Sequence, residues 1–145
     1  MSAAVRYFDD VREGEALPRL AKRPGLLNVV KWSGATWTFV PIFYDRDLAR
    51  AQGLPDSLIP GPMKLAFLNL LLQRWGGPGA RIRAVRAAYR RPDTPNQPIT
   101  CQGVVTARRA TDSGGEVDVE LWIENVRGER TVTGAATVAL PARPA

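Results

Sequence analysis

The fold is decided by the stretch Pro60-Gly61-Pro62-Met63-Lys64-Leu65-Ala66-Phe67-Leu68-Asn69-Leu70-Leu71-Leu72-Gln73-Arg74-Trp75. Proline suits the first turn of a helix, where its missing N–H is not needed. The glycines and the proline at 76–79 end the helix. Apolar residues lie nearly all the way round this helix rather than along one stripe, so we expect the rest of the chain to wrap it on most sides.

The sequence after this helix has the pattern of β-strands joined by turns. We expect strands over 81–91, 99–107, 117–123 and 131–140. The third of these alternates apolar with polar residues, as a half-buried strand does. One buried helix followed by several antiparallel strands predicts an α+β domain whose sheet curls around the helix. An open sheet leaves an edge strand, which proteins commonly cover by dimerising edge to edge.

The sequence before the central helix is less regular. Turn-forming residues in the first two dozen positions predict a short strand and an irregular arm, and residues 26–35 fit a short helix. The crowded aromatic segment 37–44 holds Pro41 in its middle, which predicts a loop. Asp45 is placed to cap a short helix over 46–52.

Length and composition bound the class of protein. The chain, 1–145, has the length of one domain, large enough for a hydrophobic core without metal ions or disulfide bonds. The single cysteine, Cys101, lies in a strand-like run, so we interpret it as a packed thiol, with a nucleophile as the alternative. Residues 1–15 contain no apolar leader, and no apolar run is long enough to span a bilayer. We therefore expect a soluble cytoplasmic protein with no membrane partner.

The net charge of +6 comes mainly from arginine, because seventeen of the twenty basic residues are arginines. Such a surface attracts anionic groups such as phosphates or an acidic carrier protein, and a merely solvated basic surface is the alternative. We expect no nucleic acid and no metal as partners. The sequence has no zinc-ligand pattern, no helix-turn-helix signature and no basic run interleaved with stacking aromatics.

A signature of the MaoC-like (R)-hydratases and dehydratases, Gly-Asp-x-Asn-Pro-Ile/Leu-His-x-Asp, resembles the segment Trp37-Thr38-Phe39-Val40-Pro41-Ile42-Phe43-Tyr44-Asp45. The family's Ile/Val-x-His-Gly-x-Met/Leu, at the start of its central helix, resembles Leu58-Ile59-Pro60-Gly61-Pro62-Met63. A family strand pair is similar to Tyr89-Arg90-Arg91-Pro92 with Gln102-Gly103-Val104-Val105. The motifs follow the family's order from residue 28 onward. The likeness is greatest to the actinobacterial branch that includes subunits of steroid side-chain dehydratases.

This resemblance implies a hot-dog fold, a dimeric or pseudo-dimeric assembly, and acyl thioesters of coenzyme A or acyl carrier protein as ligands. It implies no permanently bound cofactor, because coenzyme A or phosphopantetheine enters as part of the substrate. In active members, the Asp and His of the signature activate a water for addition across an enoyl thioester. Backbone N–H groups at the start of the central helix stabilise the developing enolate oxygen.

The residues that carry this chemistry in the family are replaced here. The family Asp falls on Thr38, the Asn on Val40 and the His on Phe43, while Pro60 stands where many members have a second His. The chain contains no histidine, so no other residue can restore an imidazole. Thr38 cannot act as a carboxylate base and Phe43 cannot move a proton. The usual hydration mechanism is therefore expected to be absent.

Several side chains remain as site candidates. Asp45 is interpreted as a helix cap with a catalytic role as the alternative, and Tyr44 as a packed aromatic or a proton donor. Candidates for substrate binding, which otherwise pack in the core or form a rigid helix entry, are Gly61, Met63, Trp32, Trp37, Phe39, Val40 and Phe43. Candidates for binding the phosphates, which otherwise form a solvated face, are Arg81, Arg83, Arg86, Arg90 and Arg91.

Three functions are compatible with this pattern. The leading one is a catalytically degenerate subunit that pairs with an active MaoC-like relative and shapes a pocket for a bulky acyl thioester, such as a steroid or polyketide intermediate. The second is an active enzyme of altered chemistry (a dehydratase, cyclase, isomerase or thioesterase) that uses Asp45, Tyr44 or Thr38. The third is a module that binds an acyl group or carrier without any catalytic partner.

Overall fold

The central helix is the element around which the chain is organised. In the computed structural model, which describes residues 4–145, this helix (α3) spans Gly61–Gly76. Leu68 and Leu72 are fully buried in it, and other apolar residues of the helix, such as Leu65 and Leu70, are half-buried. The prediction of a helix wrapped on most sides is confirmed, because the apolar side chains can leave water only if the sheet folds around them.

Five antiparallel strands form one sheet in the order β1-β3-β4-β5-β2. Their bounds are β1 Leu20–Lys22, β2 Arg81–Tyr89, β3 Ile99–Thr111, β4 Gly114–Asn125 and β5 Arg130–Pro141. The third strand runs four residues beyond the predicted 99–107. It does so because Thr111 pairs with Gly114 across a two-residue hairpin turn, which lets the ladder continue into the polar segment.

The segment before the central helix contains two further helices, α1 (Leu26–Thr36) and α2 (Arg46–Ala51). Between them lies the predicted loop, which makes one short 3-10 turn at Pro41–Phe43. Asp45 caps α2 as predicted, since its Oδ1 accepts a hydrogen bond from the Leu48 N–H at 3.0 Å. No helix described over 4–145 is long and apolar enough to cross a membrane. The first three residues, part of the 1–15 segment, lie outside the described residues.

One face of the sheet packs on α3 and the other faces outward. Val117, Val119, Leu121 and Ile123 of β4 are buried in this core, as the period-two pattern predicts. Cys101 is also fully buried there. Burial raises the pKa of its thiol to about 12, because the thiolate would lose its hydration. These surroundings fit a packed thiol rather than a nucleophile.

The two ends of the sheet differ in what covers them. β3 is flanked by β1 and by the N-terminal arm, whose Ala16 bridges to Val104. At the other end, β2 pairs with β5, and no strand within 4–145 pairs with its outer edge. The predicted edge strand is therefore β2.

Candidate functional site

A cleft of about 360 Å³ opens where the start of α3, the loop before it and the end of β2 meet. Three of the family-like segments, 37–45, 58–63 and 89–92, contribute residues to this cleft. The residues that line it are Phe43, Leu54, Leu58, Ile59, Gly61, Lys64, Tyr89, Arg90, Arg91 and Pro92. The walls are therefore mostly apolar, with positively charged and backbone donor groups at defined points. Such a cleft can hold an apolar group while fixing a polar one.

Gly61 and Tyr89 are in direct contact at the start of the central helix. A Cβ atom on Gly61 would lie 2.8 Å from Cε2 of the Tyr89 ring, so only glycine permits this approach. Pro62 has no N–H, and the Lys64 amide donates to the Pro60 carbonyl at 3.2 Å. The first turn can therefore offer the amides of Gly61 and Met63 to a ligand oxygen.

Lys64, one of the residues that line the cleft, belongs to a buried ion pair. Nζ of Lys64 lies 2.9 Å from Oδ2 of Asp93, and each side chain is only 3% exposed. The ammonium group also donates to the Arg91 carbonyl at 3.2 Å and lies 6.0 Å from the centre of the Tyr89 ring. Two of its three N–H groups thus have acceptors in the chain. The pair ties the turn after β2 to the first turn of α3.

Lys64 and Asp93 were not among the predicted site residues. Lys64 is a charged side chain in the otherwise apolar first two turns of the helix, and this anomaly was a usable signal in the sequence. Asp93 carried no such signal, because it stands in a turn next to prolines, where aspartate is common. Only the fold brings a residue of the turn to the helix.

Phe43 occupies the position of the family His and does line the cleft. Its ring is half-buried and packs against the core. An aromatic hydrocarbon can shape an apolar wall there, but it can neither accept nor donate a proton. The chain therefore presents packing surface at the point where the resemblance implies a base.

The other three residues named as catalytic candidates do not line this cleft. Oγ1 of Thr38 donates to the Thr36 carbonyl at 3.3 Å, and Asp45 is an exposed helix cap. Tyr44 is half-buried beside the 3-10 turn. The structure brings Phe43, Gly61 and Arg90 together and leaves Thr38, Tyr44 and Asp45 outside the group.

Trp37, Phe39 and Val40 are exposed to solvent rather than packed in the core. Their exposed fractions are 83%, 55% and 42%. The rings of Trp37 and Phe39 meet edge to face, with centres 5.3 Å apart. Trp37 ends α1 in the left-handed region, with φ of 56°, where glycine is the usual residue. The core-packing alternative is wrong for Trp37 and Phe39 and holds for Trp32 and Phe43, which pack against the core.

Only two of the predicted phosphate-binding arginines lie at this cleft. Arg90 and Arg91 line the cleft. Arg81 pairs in register with Ala139 and Arg86 with Ala135. Their neighbours in the ladder, Ile82 with Val138 and Val85 with Ala136, belong to the core side, so Arg81 and Arg86 project from the opposite face. Arg83 lies at a register shift, and a phosphate-binding role for these residues stays a prediction.

A second concavity, of about 420 Å³, lies on the outward face of the sheet. Its carboxylates, Asp118 and Glu120, form ion pairs with Arg109 and Arg130. It lies away from the start of α3 and the loop before it, and no residue of the segments 37–45, 58–63 and 89–92 lines it, so we take the smaller cleft as the candidate site. Within 4–145, no three His, Cys, Asp or Glu side chains come together as a metal-binding group.

Comparison with solved structures decides the fold family. The (R)-hydratase from A. caviae involved in PHA biosynthesis has a TM-score of 0.84 and 24% identity, covering 91% of this chain and 98% of that one. The ChsH1–ChsH2 complex from Mycobacterium tuberculosis contains a chain with a TM-score of 0.79 and 26% identity, covering 89% and 98%. A MaoC-like dehydratase from Rhodospirillum rubrum has a TM-score of 0.83 and 20% identity, covering 97% and 99%.

The chain has the hot-dog fold of the MaoC-like hydratases and dehydratases. No family model and no curated protein sequence matches it. The hot-dog fold implied by the sequence motifs is confirmed, since α3 lies in the curved sheet as the predicted central helix does. In this hot-dog domain, the candidate cleft lies at the N-terminal end of the central helix.

Proposed function

We propose that this hot-dog protein binds an acyl thioester of coenzyme A or acyl carrier protein and serves as a non-catalytic subunit beside an active hydratase or dehydratase. The observation that carries the proposal is Phe43 in the wall of the cleft, in a chain that contains no histidine. The frame of the site is present while the acid and base of the usual mechanism are absent. Binding without hydration follows from that combination.

The geometry of the cleft supports thioester binding in three ways. The apolar walls suit an acyl chain. The amides of Gly61 and Met63 stand at the positive end of a 16-residue helix and can donate to the thioester carbonyl. Arg90 and Arg91 lie at the same cleft and can donate to phosphate oxygens. None of these interactions requires a proton to move.

The proposed partner supplies what this chain lacks. An active MaoC-like subunit would bring the Asp and His, while this subunit would enlarge the space for the acyl group. The exposed Trp37 and Phe39 rings extend apolar surface beyond the core, which suits a bulky acyl group such as a steroid or polyketide intermediate. The similarity to a chain of the ChsH1–ChsH2 complex supports a heteromer. A single buried thiol suits a reducing cytoplasm, the compartment that we propose.

Hydratase activity of the isolated chain tests this proposal. We expect no detectable hydration of crotonyl-CoA by the purified protein, because no group at the cleft can activate the water. The measurement is the loss of enoyl-thioester absorbance with time, with an authentic (R)-hydratase as the positive control. Turnover by the purified wild-type chain would contradict the proposal, and its loss in Phe43→Ala or Thr38→Ala variants would show that this loop is active.

A second candidate function is an active enzyme of altered chemistry, and the buried Lys64–Asp93 pair favours it. An ammonium group in an apolar cleft can donate a proton or stabilise an oxyanion. Under this alternative, a thioester substrate would be turned over by the wild-type chain and Lys64→Met would abolish the turnover. Asp45→Asn would leave it unchanged, because Asp45 does not line the cleft.

A further inference from the structure

Lys64 is a charged residue in the wall of the cleft whose hydrogen bonds are not completed by the described chain. Nζ donates to Oδ2 of Asp93 at 2.9 Å and to the Arg91 carbonyl at 3.2 Å. An ammonium group carries three N–H donors, and no residue of 4–145 accepts a hydrogen bond from the third. The side chain is only 3% exposed. Because a buried charged donor without an acceptor is costly, the third N–H of Lys64 favours a ligand that supplies an oxygen.

The third N–H of Lys64 lies close to the place where the thioester carbonyl is proposed to bind. Lys64 follows Gly61 by three residues and so lies on the same face of α3, and helical side chains lean toward the N-terminal end of their helix. The Tyr89 ring lies beside both residues. A Cβ atom on Gly61 would lie 2.8 Å from it, and Nζ of Lys64 lies 6.0 Å from its centre. An oxygen bound by Lys64 would therefore be carried by an acyl carbon close to the thioester.

The charge balance at Lys64 selects an uncharged oxygen. The Asp93 carboxylate already neutralises the ammonium group, and both side chains are buried. A ligand carboxylate at the same ammonium group would be repelled by Asp93 and would lose its hydration in a mostly apolar cleft. A carbonyl or hydroxyl oxygen can accept the third N–H without adding a charge.

Of these two neutral groups, a keto oxygen suits the cleft better than a hydroxyl group. A keto oxygen only accepts hydrogen bonds, whereas a hydroxyl group also brings a donor that needs an acceptor of its own. Among the described residues that line the cleft, Tyr89 alone has a side-chain oxygen. The other walls offer the hydroxyl donor no side-chain acceptor, and an unpaired donor in such surroundings costs free energy.

We propose that the cleft selects acyl thioesters with a keto oxygen two carbons beyond the thioester carbonyl, and that this oxygen accepts the third N–H of Lys64. The amides at the start of α3 hold the thioester carbonyl itself. The two carbonyls of a 3-keto thioester can point to the same side of the chain, as donors on one face of a helix require. This inference rests on the proposed function, because it concerns the acyl group of the same ligand.

Isothermal titration with acetoacetyl-CoA and butyryl-CoA tests this inference. The two thioesters have acyl chains of the same length and differ only in the keto oxygen at carbon 3. (R)-3-hydroxybutyryl-CoA, with a hydroxyl group at that carbon, is the third probe. The matched variant is Lys64→Met/Asp93→Leu, which removes the ammonium group together with its partner, so that no buried ion is left alone. Circular dichroism establishes that this variant is folded.

We expect the wild type to bind acetoacetyl-CoA at least about tenfold more tightly than butyryl-CoA, through a hydrogen bond from a charged donor. A site built to hydrogen-bond a ligand group discriminates against the analogue that lacks it. The hydroxyl analogue should bind more weakly than acetoacetyl-CoA. In the double variant the preference should disappear, while the affinity for butyryl-CoA stays close to that of the wild type. If this variant does not fold, the three affinities of the wild type still decide, because the probes differ only at carbon 3.

Three results would overturn the inference and leave the proposed function standing. The wild type could bind acetoacetyl-CoA and butyryl-CoA equally well, or bind the hydroxyl analogue as tightly as acetoacetyl-CoA. The folded double variant could also keep the preference, which would show that the keto oxygen binds to another group. Failure of all three thioesters to bind would overturn the proposed function together with this inference.

Discussion

At the scale of single residues, the buried ion pair of Lys64 and Asp93 carries a large desolvation cost. Taking both charges out of water costs several kcal/mol per ion, and their mutual attraction repays this only while both are present. Lys64→Met should therefore lower the free energy of unfolding by about 3 to 5 kcal/mol, because it leaves the Asp93 carboxylate buried without its partner. Urea unfolding at neutral pH measures this loss.

The matched control is the double variant Lys64→Met/Asp93→Leu. Replacing both ions by apolar groups removes the desolvation penalty together with the attraction, so the double variant should be close to the wild type in stability. The single variant Asp93→Leu completes the comparison. If the double variant lost as much free energy of unfolding as Lys64→Met and Asp93→Leu added together, the two side chains would not interact as a pair.

The backbone of Trp37 is strained, because this residue lies in the left-handed region with φ of 56°. A residue with a side chain in the left-handed region is strained by about 1 to 2 kcal/mol, and glycine is not. Trp37→Gly and Trp37→Ala remove the same exposed ring, but only glycine relieves the strain. We expect the glycine variant to be more stable than the alanine variant by about 1 kcal/mol. Equal midpoints in thermal unfolding would show that the backbone at this residue is not strained in solution.

At the scale of elements, Asp56 holds α2 against the segment that leads into the cleft. Its carboxylate receives two hydrogen bonds from Arg46, at 2.8 and 2.7 Å, and one from the Ser57 amide at 2.7 Å. The hydrogen bond from Arg46 is the main cause that lowers the pKa of Asp56 to about 2. Leu54 and Leu58, on either side of Asp56, line the cleft. These hydrogen bonds of Asp56 therefore position part of the candidate site.

This pKa predicts how stability depends on pH. Because the folded pKa lies below the unfolded value of about 4, the stabilisation is fully present above pH 4 and is lost as the pH falls toward 2. Asp56→Asn should remove part of this loss, so its free energy of unfolding should fall less steeply between pH 4 and 2 than that of the wild type. Asp47→Asn, on the same helix, is the control. If the free energies of unfolding of the wild type and of Asp56→Asn depended on pH in the same way, the hydrogen bonds of Asp56 would not stabilise the fold.

The elements themselves were largely predictable from the sequence. The helix over 61–76 and the strands follow from local periodicity and from the glycines and prolines that end them. The extra length of β3 was not predictable, because residues 108–111 are mostly polar and are held by pairing with β4 rather than by burial. The contact of Gly61 with Tyr89 was also hidden, since it joins residues 28 positions apart.

At the scale of the whole molecule, the sequence predicted what the site lacks better than what it contains. The absence of histidine and the apolar residue at 43 are facts of composition and alignment. Which side chains surround the cleft depends on how the sheet curls, and a linear pattern does not encode that. Arg86 lies on β2 and Arg90 follows directly after it, yet only Arg90 lines the cleft, because β2 ends at Tyr89 and the turn after it packs against the start of α3.

The central claim is that the cleft at the start of α3 binds an acyl thioester. Isothermal titration of butyryl-CoA, a saturated thioester that cannot be hydrated, tests it most directly. We predict saturable one-to-one binding by the wild type. An Arg90→Ala/Arg91→Ala variant should bind at least about tenfold more weakly, through loss of charge-assisted hydrogen bonds to phosphate. Arg81→Ala/Arg83→Ala, on β2 and outside the cleft, should bind as the wild type does. The absence of binding, or equal weakening by both double substitutions, would contradict the claim.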